Sequence, residues 1–317
     1  MPDGKIFASR LLTAIALALA GPLSGCGGGA GPLDAFSSDL PRPTDYPIHG
    51  IDVSKFQGDI DWNAVAGSGV KFAWIKATEG GDNIDERFQA NWTGAKAAGV
   101  PHGAYHFVYW CRPPMEEMAN FEQNAPAEPD ALPPVLDVEA TPTSKTCHKH
   151  LTQEGAVADM RAMLQEMERH YGKRPIIYTT VDFYQAILAD GSLAEYPIWV
   201  RSTKYHPSVK YAGRAWRFWQ YQSDGRIDGI SVKVDRDAFA GSSEQWEAFL
   251  RDPSTILRGA SQSASQQPAP QETAPAQQAP AAAATATAQA PEPEPGQEVR
   301  QVQAAEPPPA EGADTQQ

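Results

Sequence analysis

Short apolar runs rich in β-branched and aromatic residues recur along the middle of the chain, and each has the length of a β-strand. Between them lie segments with apolar residues at helical spacing. The pattern predicts strands at 48–53, 72–77, 103–107, 135–138, 176–179, 198–200, 217–221 and 232–234. It predicts helices at 62–66, 88–98, 115–124, 152–171 and 183–188.

The order of these elements indicates the fold class. The longest predicted helix begins at Thr152, an N-cap residue, and its apolar positions Val157, Met160, Leu164 and Met167 follow at spacings of three and four. Strands and helices alternate over the first two thirds, whereas the last third is strand-rich with short connections. We therefore predict an α/β fold, a (β/α)-type TIM-like barrel with an irregular, strand-rich C-terminal third. A doubly wound open sheet is the alternative, but no Gly-rich phosphate loop follows a strand.

Two carboxylates stand close together at the end of the predicted strand at 135–138. Because side chains alternate across a strand, Asp137 and Glu139 project from the same face. Burial and mutual repulsion would raise the pKa of one carboxyl and leave the other ionised, as acid-assisted cleavage of a glycosidic bond requires. Two solvated acids at an exposed strand end are the alternative interpretation.

Further acids and aromatic residues fall at the predicted strand ends. In barrels of this class, catalytic groups lie at the C-terminal ends of strands. Asp52 lies at the end of the first predicted strand, Glu79 follows the second, and Asp235 ends the last. Aromatic side chains on which sugar rings can stack are interleaved with these acids: Tyr105, Phe107, Tyr109, Trp110, Trp199, Trp219 and Tyr221. Trp219 and Tyr221 share one strand face and are assigned to a groove wall, whereas core packing is an equal alternative for Phe107.

The two ends of the chain differ from its middle. Residues 1–25 combine Lys5 and Arg10 with the short apolar run 11–20, the pattern of a secretory signal. The sequence before Cys26 resembles a lipobox, which predicts a lipidated cysteine; an ordinary cleaved signal is the alternative. By analogy with enterobacterial sorting, the absence of Asp after Cys26 favours the outer membrane. Residues 26–45 are predicted as a flexible linker, 46–250 as the catalytic domain, and 251–317 as a disordered tail rich in Ala, Pro and Gln.

Charge and cysteine content restrict the partners. The formal net charge of -13 argues against nucleic acid, which selects basic patches. With Cys26 acylated, Cys111 and Cys147 remain, and export favours a disulfide between them that closes a loop around the carboxylate strand. Two buried free thiols are the alternative.

Six ordered motifs give this chain a specific resemblance. They are 49–62 (HGIDVSKFQGDIDW), 72–80 (FAWIKATEG), 103–107 (GAYHF), 136–139 (LDVE), 219–221 (WQY) and Gly229-Ile230 followed by Val234-Asp235. In this order they resemble the motifs of glycoside hydrolase family 25 lysozymes, from Ile48 to about Gly241. That family consists of N-acetylmuramidases, which cut the β-1,4 bond between N-acetylmuramic acid and N-acetylglucosamine in peptidoglycan.

The resemblance implies a role for each acid. Glu139 corresponds to the general acid, and Asp137 to its partner, which orients the 2-acetamido group of the substrate or stabilises the oxocarbenium-like transition state. Asp52 and Asp235 correspond to carboxylates that shape the subsite and tune Glu139. The candidate substrate-binding residues are Glu79, Tyr105, Tyr178, Trp199, Trp219 and Tyr221. No metal or organic cofactor is implied.

The chain departs from the common family pattern at two places. Many relatives continue the last motif as Asp-Leu-Asn, where this chain has Asp235-Arg236-Asp237; we interpret Asp237 as a solvated loop charge. Arg201 stands where Ala-x-Tyr is common. His106 is interpreted as structural, and His148 and His150 give only a weak metal signal.

The leading hypothesis is therefore an exported, lipid-anchored, monomeric muramidase. A wall-binding lipoprotein without turnover is the first alternative. A metal-dependent hydrolase that uses the four acids as ligands is the second, and sensitivity to EDTA would identify it. A chitin-cleaving enzyme is an alternative within the same class. Stereochemistry stays open, because the distance between the carboxylates does not follow from sequence spacing.

Overall fold

The computed structural model describes residues 40–141 and 144–255. The predicted signal segment and lipidation residue, most of the predicted linker and the predicted tail beyond Thr255 lie outside the described residues. Within the described ranges, every helix is too short or too polar to cross a bilayer.

The strands form a closed barrel. Eight strands of the described chain pair in the order β1-β9-β8-β7-β6-β5-β4-β2, and a parallel pairing of β1 with β2 completes the circle. A ninth, β3, is a short antiparallel addition to β2. The bounds are β1 (His49–Val53), β2 (Phe72–Glu79), β3 (Asn83–Ile84), β4 (His102–Phe107), β5 (Val135–Val138), β6 (Ile176–Thr179), β7 (Ile198–Arg201), β8 (Phe218–Gly225) and β9 (Val234–Phe239). The predicted α/β barrel is thus confirmed, and closure excludes the open sheet.

The last strand differs from its prediction. The pattern placed it at 232–234 with Asp235 at its end, whereas β9 begins at Val234 and runs antiparallel to both β8 and β1. Asp235 therefore lies near the start of this strand instead of at its end. The prediction was wrong because Asp235, Arg236 and Asp237 look like a polar loop, although Asp235 and Asp237 point into the barrel. Because β9 runs in the reverse direction, its first residues lie at the same rim as the C-terminal ends of the parallel strands.

Helices cover the outside of the barrel. They are α1 (Trp62–Gly67), α2 (Phe88–Ala97), α3 (Pro114–Asn124), α4 (Gln153–Tyr171), α5 (Val181–Phe183), α6 (Pro207–Lys210) and α7 (Ser243–Arg251), and a π-helical turn, Tyr184–Leu188, continues α5. Thr152 caps α4 as predicted, because its hydroxyl accepts a hydrogen bond from the Gly155 amide. The pattern missed α6 and α7.

The barrel interior has an apolar floor beneath a polar layer. Alternate residues point inward, so β2 contributes Phe72 and Trp74 to the floor and Lys76 to the layer above. The Trp74 and Trp199 rings stack with centroids 4.9 Å apart. Gly50 is required at this level, since a Cβ atom there would lie 2.3 Å from the Phe72 ring. The rings therefore fill the lower barrel and leave space only at the upper rim.

Helix α7 closes the lower end of the barrel. A capping box at Ser242 and Gln245 starts the helix, and Trp246 and Phe249 pack against Phe239 at the base of the interior. The floor under the polar layer is thus sealed by residues that come after the last strand.

His106 lies between the barrel and α3, and its side chain is fully buried. Its Nδ1 is 2.7 Å from the Thr78 hydroxyl and its Nε2 is 2.9 Å from the Glu117 carboxylate. The same carboxylate accepts the Tyr109 amide hydrogen at 2.9 Å. These bonds hold β4 to α3 and give His106 a position outside the upper cleft.

The predicted disulfide between Cys111 and Cys147 is confirmed. It connects the segment before α3 with the loop after β5, and these residues are 36 positions apart in sequence. Replacing both cysteines by serine should lower the free energy of unfolding by about 3–4 kcal/mol, since the closed loop restricts the unfolded chain. Chemical denaturation of both proteins measures this, and an unchanged midpoint would contradict it.

Candidate active site

A cleft of about 330 Å³ opens at the C-terminal ends of the parallel strands. Four of the predicted acids line it: Asp52, Asp137, Glu139 and Asp235. The predicted aromatic residues Tyr105, Tyr178 and Trp199 also line it, together with Phe107. The barrel thus brings together residues that are far apart in sequence, and it does so at the rim where this fold carries its chemistry.

Asp137 and Glu139 form the central carboxyl pair. Asp137 lies in β5 and faces the interior, whereas Leu136 and Val138 face the helices. Glu139 is the first residue after β5, and its backbone carbonyl oxygen accepts a hydrogen bond from Trp110 Nε1 at 2.8 Å. The two carboxyl groups lie within hydrogen-bond reach of each other, as strand alternation predicts. The buried Asp137 Oδ1 has no hydrogen-bond partner.

The surroundings favour a proton on this pair. Burial, and then the nearby Glu139, raise the pKa of Asp137 well above its usual range, while Lys76 opposes the shift. Burial also raises the pKa of Glu139, and Arg201 opposes that shift. Two neighbouring carboxylates repel each other strongly when they are buried. The pair therefore retains one proton to a higher pH than isolated acids do.

Asp52 and Asp235 face each other on neighbouring strands. They are paired residues in the antiparallel register of β1 and β9. Burial, followed by repulsion from Asp235, raises the pKa of Asp52. Burial raises the pKa of Asp235 to about 6, and Arg201 opposes that shift.

A chain of side chains supports Asp52 from below. Gln220 donates from Nε2 to Asp52 Oδ2 at 2.8 Å, and its Oε1 accepts the Tyr178 hydroxyl at 2.9 Å. Gln220 is therefore fixed in one orientation, with its amide hydrogens toward the acid. Sequence reasoning missed Gln220, although strand alternation could have found it: Phe218, two residues before it, belongs to the interior floor.

Two cations border the acids. Lys76 Nζ lies 2.7 Å from Glu79 and 4.8 Å from the centre of the Phe107 ring. Arg201 lies in the cleft lining next to Trp199, on the strand face that points inward. Lys76 was missed from sequence, although it shares the inward face with Trp74. The cations oppose the proton uptake that burial favours, so the cleft is acidic without being uniformly negative.

Three predicted binding residues lie away from the cleft. Trp219 is fully buried and packs against Tyr46 and Trp216, and Tyr221 bonds His49 through its hydroxyl at 3.1 Å. The groove-wall assignment was wrong because the shared face of these two residues points outward, while Gln220 between them points inward. Glu79 does not line the cavity and contacts it only through Lys76.

The structure also contradicts the interpretation of Asp237. We interpreted it as a solvated loop charge, but it lies inside β9 with its side chain fully buried. Trp199 Nε1 donates to its Oδ1 at 2.8 Å. Phe56 was also missed; this residue is 74% exposed and lines the cleft.

The described residues lack a group of side chains that could bind a metal ion. Across 40–141 and 144–255, no three His, Cys, Asp or Glu side chains are grouped so that they could hold one. The His148 ring lies 3.1 Å from the Lys145 carbonyl oxygen.

The chain is similar in sequence to known proteins. The chain is 36% identical over 226 residues to the uncharacterised protein YegX of Escherichia coli O157:H7, covering 69% of this chain and 78% of the relative. It is 35% identical over 219 residues to lysozyme M1 of Streptomyces globisporus, covering 65% and 72% of the two chains.

Solved structures give the same result. A family 25 glycosyl hydrolase from Bacillus anthracis superimposes with a TM-score of 0.60 at 35% identity, covering 64% of this chain and 94% of the other. A bacterial lysozyme from Streptomyces coelicolor gives 0.57 at 33% identity, covering 65% and 97%. The family model for glycosyl hydrolases family 25 matches residues 51–230, and the chain belongs to this family.

Proposed function

We propose that this chain is a lysozyme that hydrolyses the β-1,4 bond between N-acetylmuramic acid and N-acetylglucosamine in peptidoglycan. The observation that carries the proposal is that the neighbouring acids Asp137 and Glu139 both line one open cleft. Burial raises the pKa of both carboxyl groups, which favours a proton on the pair. Two findings support it: the chain belongs to glycosyl hydrolases family 25, and lysozymes are among its relatives.

In this proposal, Glu139 donates its proton to the leaving glycosidic oxygen. Glu139 is the more exposed member of the pair, so it can reach a sugar lying in the cleft. A proton must therefore reside on Glu139 when the substrate is bound, whereas burial favours a proton on Asp137 in the empty cleft.

The substrate itself can move that proton. Asp137 lines the cleft, where the N–H of a 2-acetamido group can donate a hydrogen bond to its carboxyl group. A hydrogen bond to the carboxylate favours its ionised form, so Asp137 becomes the anion and Glu139 keeps the proton. The ionised Asp137 then orients the acetamido group or stabilises the positive charge that develops on the sugar. Asp52 and Asp235 keep the surrounding field negative where that charge forms.

Activity should depend on pH along a bell-shaped curve with an acidic to near-neutral optimum. At low pH both members of the pair are protonated and the anion is lost, whereas at high pH the pair loses the proton that the leaving group needs. The raised pKa values of Asp137 and Glu139, and that of Asp235 at about 6, place the working range above that of ordinary carboxyl groups. Initial rates between pH 4 and 9 measure the curve, and a flat profile would contradict the assignment.

We also propose export, with a lipid anchor at Cys26 in the outer membrane and a monomeric catalytic domain at 46–250. The layout of residues 1–26 supports the anchor. The disulfide between Cys111 and Cys147 is typical of an oxidising compartment. Because the net charge is -13, affinity for an anionic wall should come from contacts in the cleft.

Purified peptidoglycan and chitin oligosaccharides, each incubated with the purified chain, test the substrate. We expect soluble fragments from peptidoglycan and slow or no cleavage of chitin. Faster cleavage of chitin would indicate a chitinase. Binding to peptidoglycan without any release would instead support the wall-binding lipoprotein.

A further inference from the structure

Asp237 is a buried acid that the proposed mechanism does not use. It occupies the middle of β9, and its side chain is fully buried inside the barrel, directly below the cleft. Trp199 Nε1 donates to Oδ1 at 2.8 Å. Oδ2 is buried and meets no donor. The carboxyl group lies within hydrogen-bond reach of one other group, the Asp52 carboxyl.

The groups around Asp237 leave its charge uncompensated. From β1 it faces Asp52, and the His49 ring contacts only its backbone. From β8 it faces the neutral Gln220, its paired residue in the sheet. From β7 it faces the Trp199 indole, with Arg201 two residues beyond, and Asp235 precedes it on β9.

No neighbouring cation pairs with Asp237 itself. The intervening Arg236 points to the outer side, 6.0 Å from the centre of the Tyr221 ring. In the part of the chain that the structure describes, no Lys, Arg or His side chain forms an ion pair with Asp237.

A proton on Asp237 removes the repulsion between the Asp237 and Asp52 carboxylates. It also gives the buried carboxyl group of Asp237 a hydrogen bond. Two carboxylates in contact in a buried place repel each other, and an acceptor without a donor loses the hydrogen bond it had in water. As a carboxylic acid, Asp237 donates to Asp52, so that Asp52 receives one hydrogen bond from Gln220 and a second from Asp237. Burial, and then repulsion from Asp52 and Asp235, raise the pKa of Asp237, which agrees with this arrangement.

We propose that Asp237 is a positioning residue that retains a proton and donates it in a hydrogen bond to Asp52, fixing that carboxylate beside the reacting sugar. The role of Asp52 in this inference rests on the proposed function. Protonated Asp237 thus acts as a neutral hydrogen-bond donor, as an amide would. Unlike an amide, it stops donating when it loses its proton at higher pH. When the shared proton is lost, two adjacent anions replace the bond and Asp52 leaves its position. Loss of this proton then contributes to the alkaline limit of activity.

The Asp237→Asn variant tests this directly. An amide keeps the acceptor for Trp199 and the donor for Asp52, but it has no proton to lose. We expect activity near that of the wild type at acidic pH and an alkaline limb of kcat/KM shifted upward by about one pH unit or more. Asp224→Asn, on an exposed part of the same hairpin, makes the same change of charge and should leave the limb unchanged. If kcat/KM of the wild type and of Asp237→Asn falls over the same alkaline pH range, the proposal is overturned.

A second measurement does not depend on turnover. An acid whose pKa is raised on folding binds more protons in the native than in the unfolded state, so stability falls as pH rises from the unfolded value, about 3.9, toward the native value. Chemical denaturation across this range should show that the wild type loses stability relative to Asp237→Asn. Parallel curves would overturn the proposal even if peptidoglycan is cleaved. If peptidoglycan is not cleaved, the proposed function fails, while the denaturation curves still decide whether Asp237 holds its proton.

Discussion

Replacing Glu139 by glutamine should lower kcat for peptidoglycan by about 10²–10⁴-fold, the usual contribution of a positioned general acid. Glutamine has nearly the same shape and can still contact Asp137, but it has no proton to give to the leaving oxygen. The Trp110 hydrogen bond goes to the backbone of Glu139 and is retained. The variant should therefore fold and bind glycan strands, and its defect should lie in kcat. Steady-state kinetics on solubilised glycan strands measure this.

Two controls separate catalysis from folding. Glu247 is exposed on α7, so Glu247→Gln makes the same chemical change away from the cleft and should leave kcat unchanged. A dinitrophenyl glycoside of the same disaccharide has a leaving group that needs little protonation, so the Glu139→Gln variant should recover much of its rate on that substrate. Equal losses on both substrates would indicate that the variant is misfolded or that Glu139 is not the acid.

Replacing Asp137 by asparagine should have the second largest effect, a fall in kcat of about 10²–10³-fold, as is typical when a group that stabilises transition-state charge is removed. Asparagine keeps the size of the side chain at this buried position in β5. It cannot become the anion that faces the acetamido group or the developing positive charge on the sugar. Initial rates with saturating glycan strands measure the effect on kcat.

The matched control is Asp130→Asn, an exposed acid a few residues before β5, which should behave like the wild type. Binding of both variants to insoluble peptidoglycan should stay close to that of the wild type, because the asparagine carbonyl oxygen can still accept a hydrogen bond from the acetamido N–H. An Asp137→Asn chain that retains full kcat would remove Asp137 from the mechanism and leave Glu139 without its partner.

Much of the cleft was predictable because strand alternation is a local property. Asp137 and Glu139 were placed side by side by their spacing alone, and the structure has them in contact. The same rule, applied to β2 and β8, would have placed Lys76 and Gln220 in the interior beside the acids. Instead, Trp219 and Tyr221 were assigned to the groove because they are aromatic and share one strand face, although that face points out of the barrel interior.

Other features depend on closure of the barrel, which no local pattern contains. A strand that reads Asp235-Arg236-Asp237 looks like a loop until it is inserted between β1 and β8, where alternate residues face opposite sides. The burial of Asp237 follows from that insertion. Helix α7 shows a capping box in the sequence, but its function as the lower seal of the barrel depends on the rings it meets there.

Mass spectrometry of borohydride-reduced fragments, released from purified peptidoglycan by the wild-type chain and by the Glu139→Gln chain, tests the central catalytic assignment most directly. We expect the wild type to release fragments whose reduced end is N-acetylmuramic acid and the variant to release almost none. Fragments ending in reduced N-acetylglucosamine would contradict the proposed bond, and equal release by the two chains would contradict the role of Glu139.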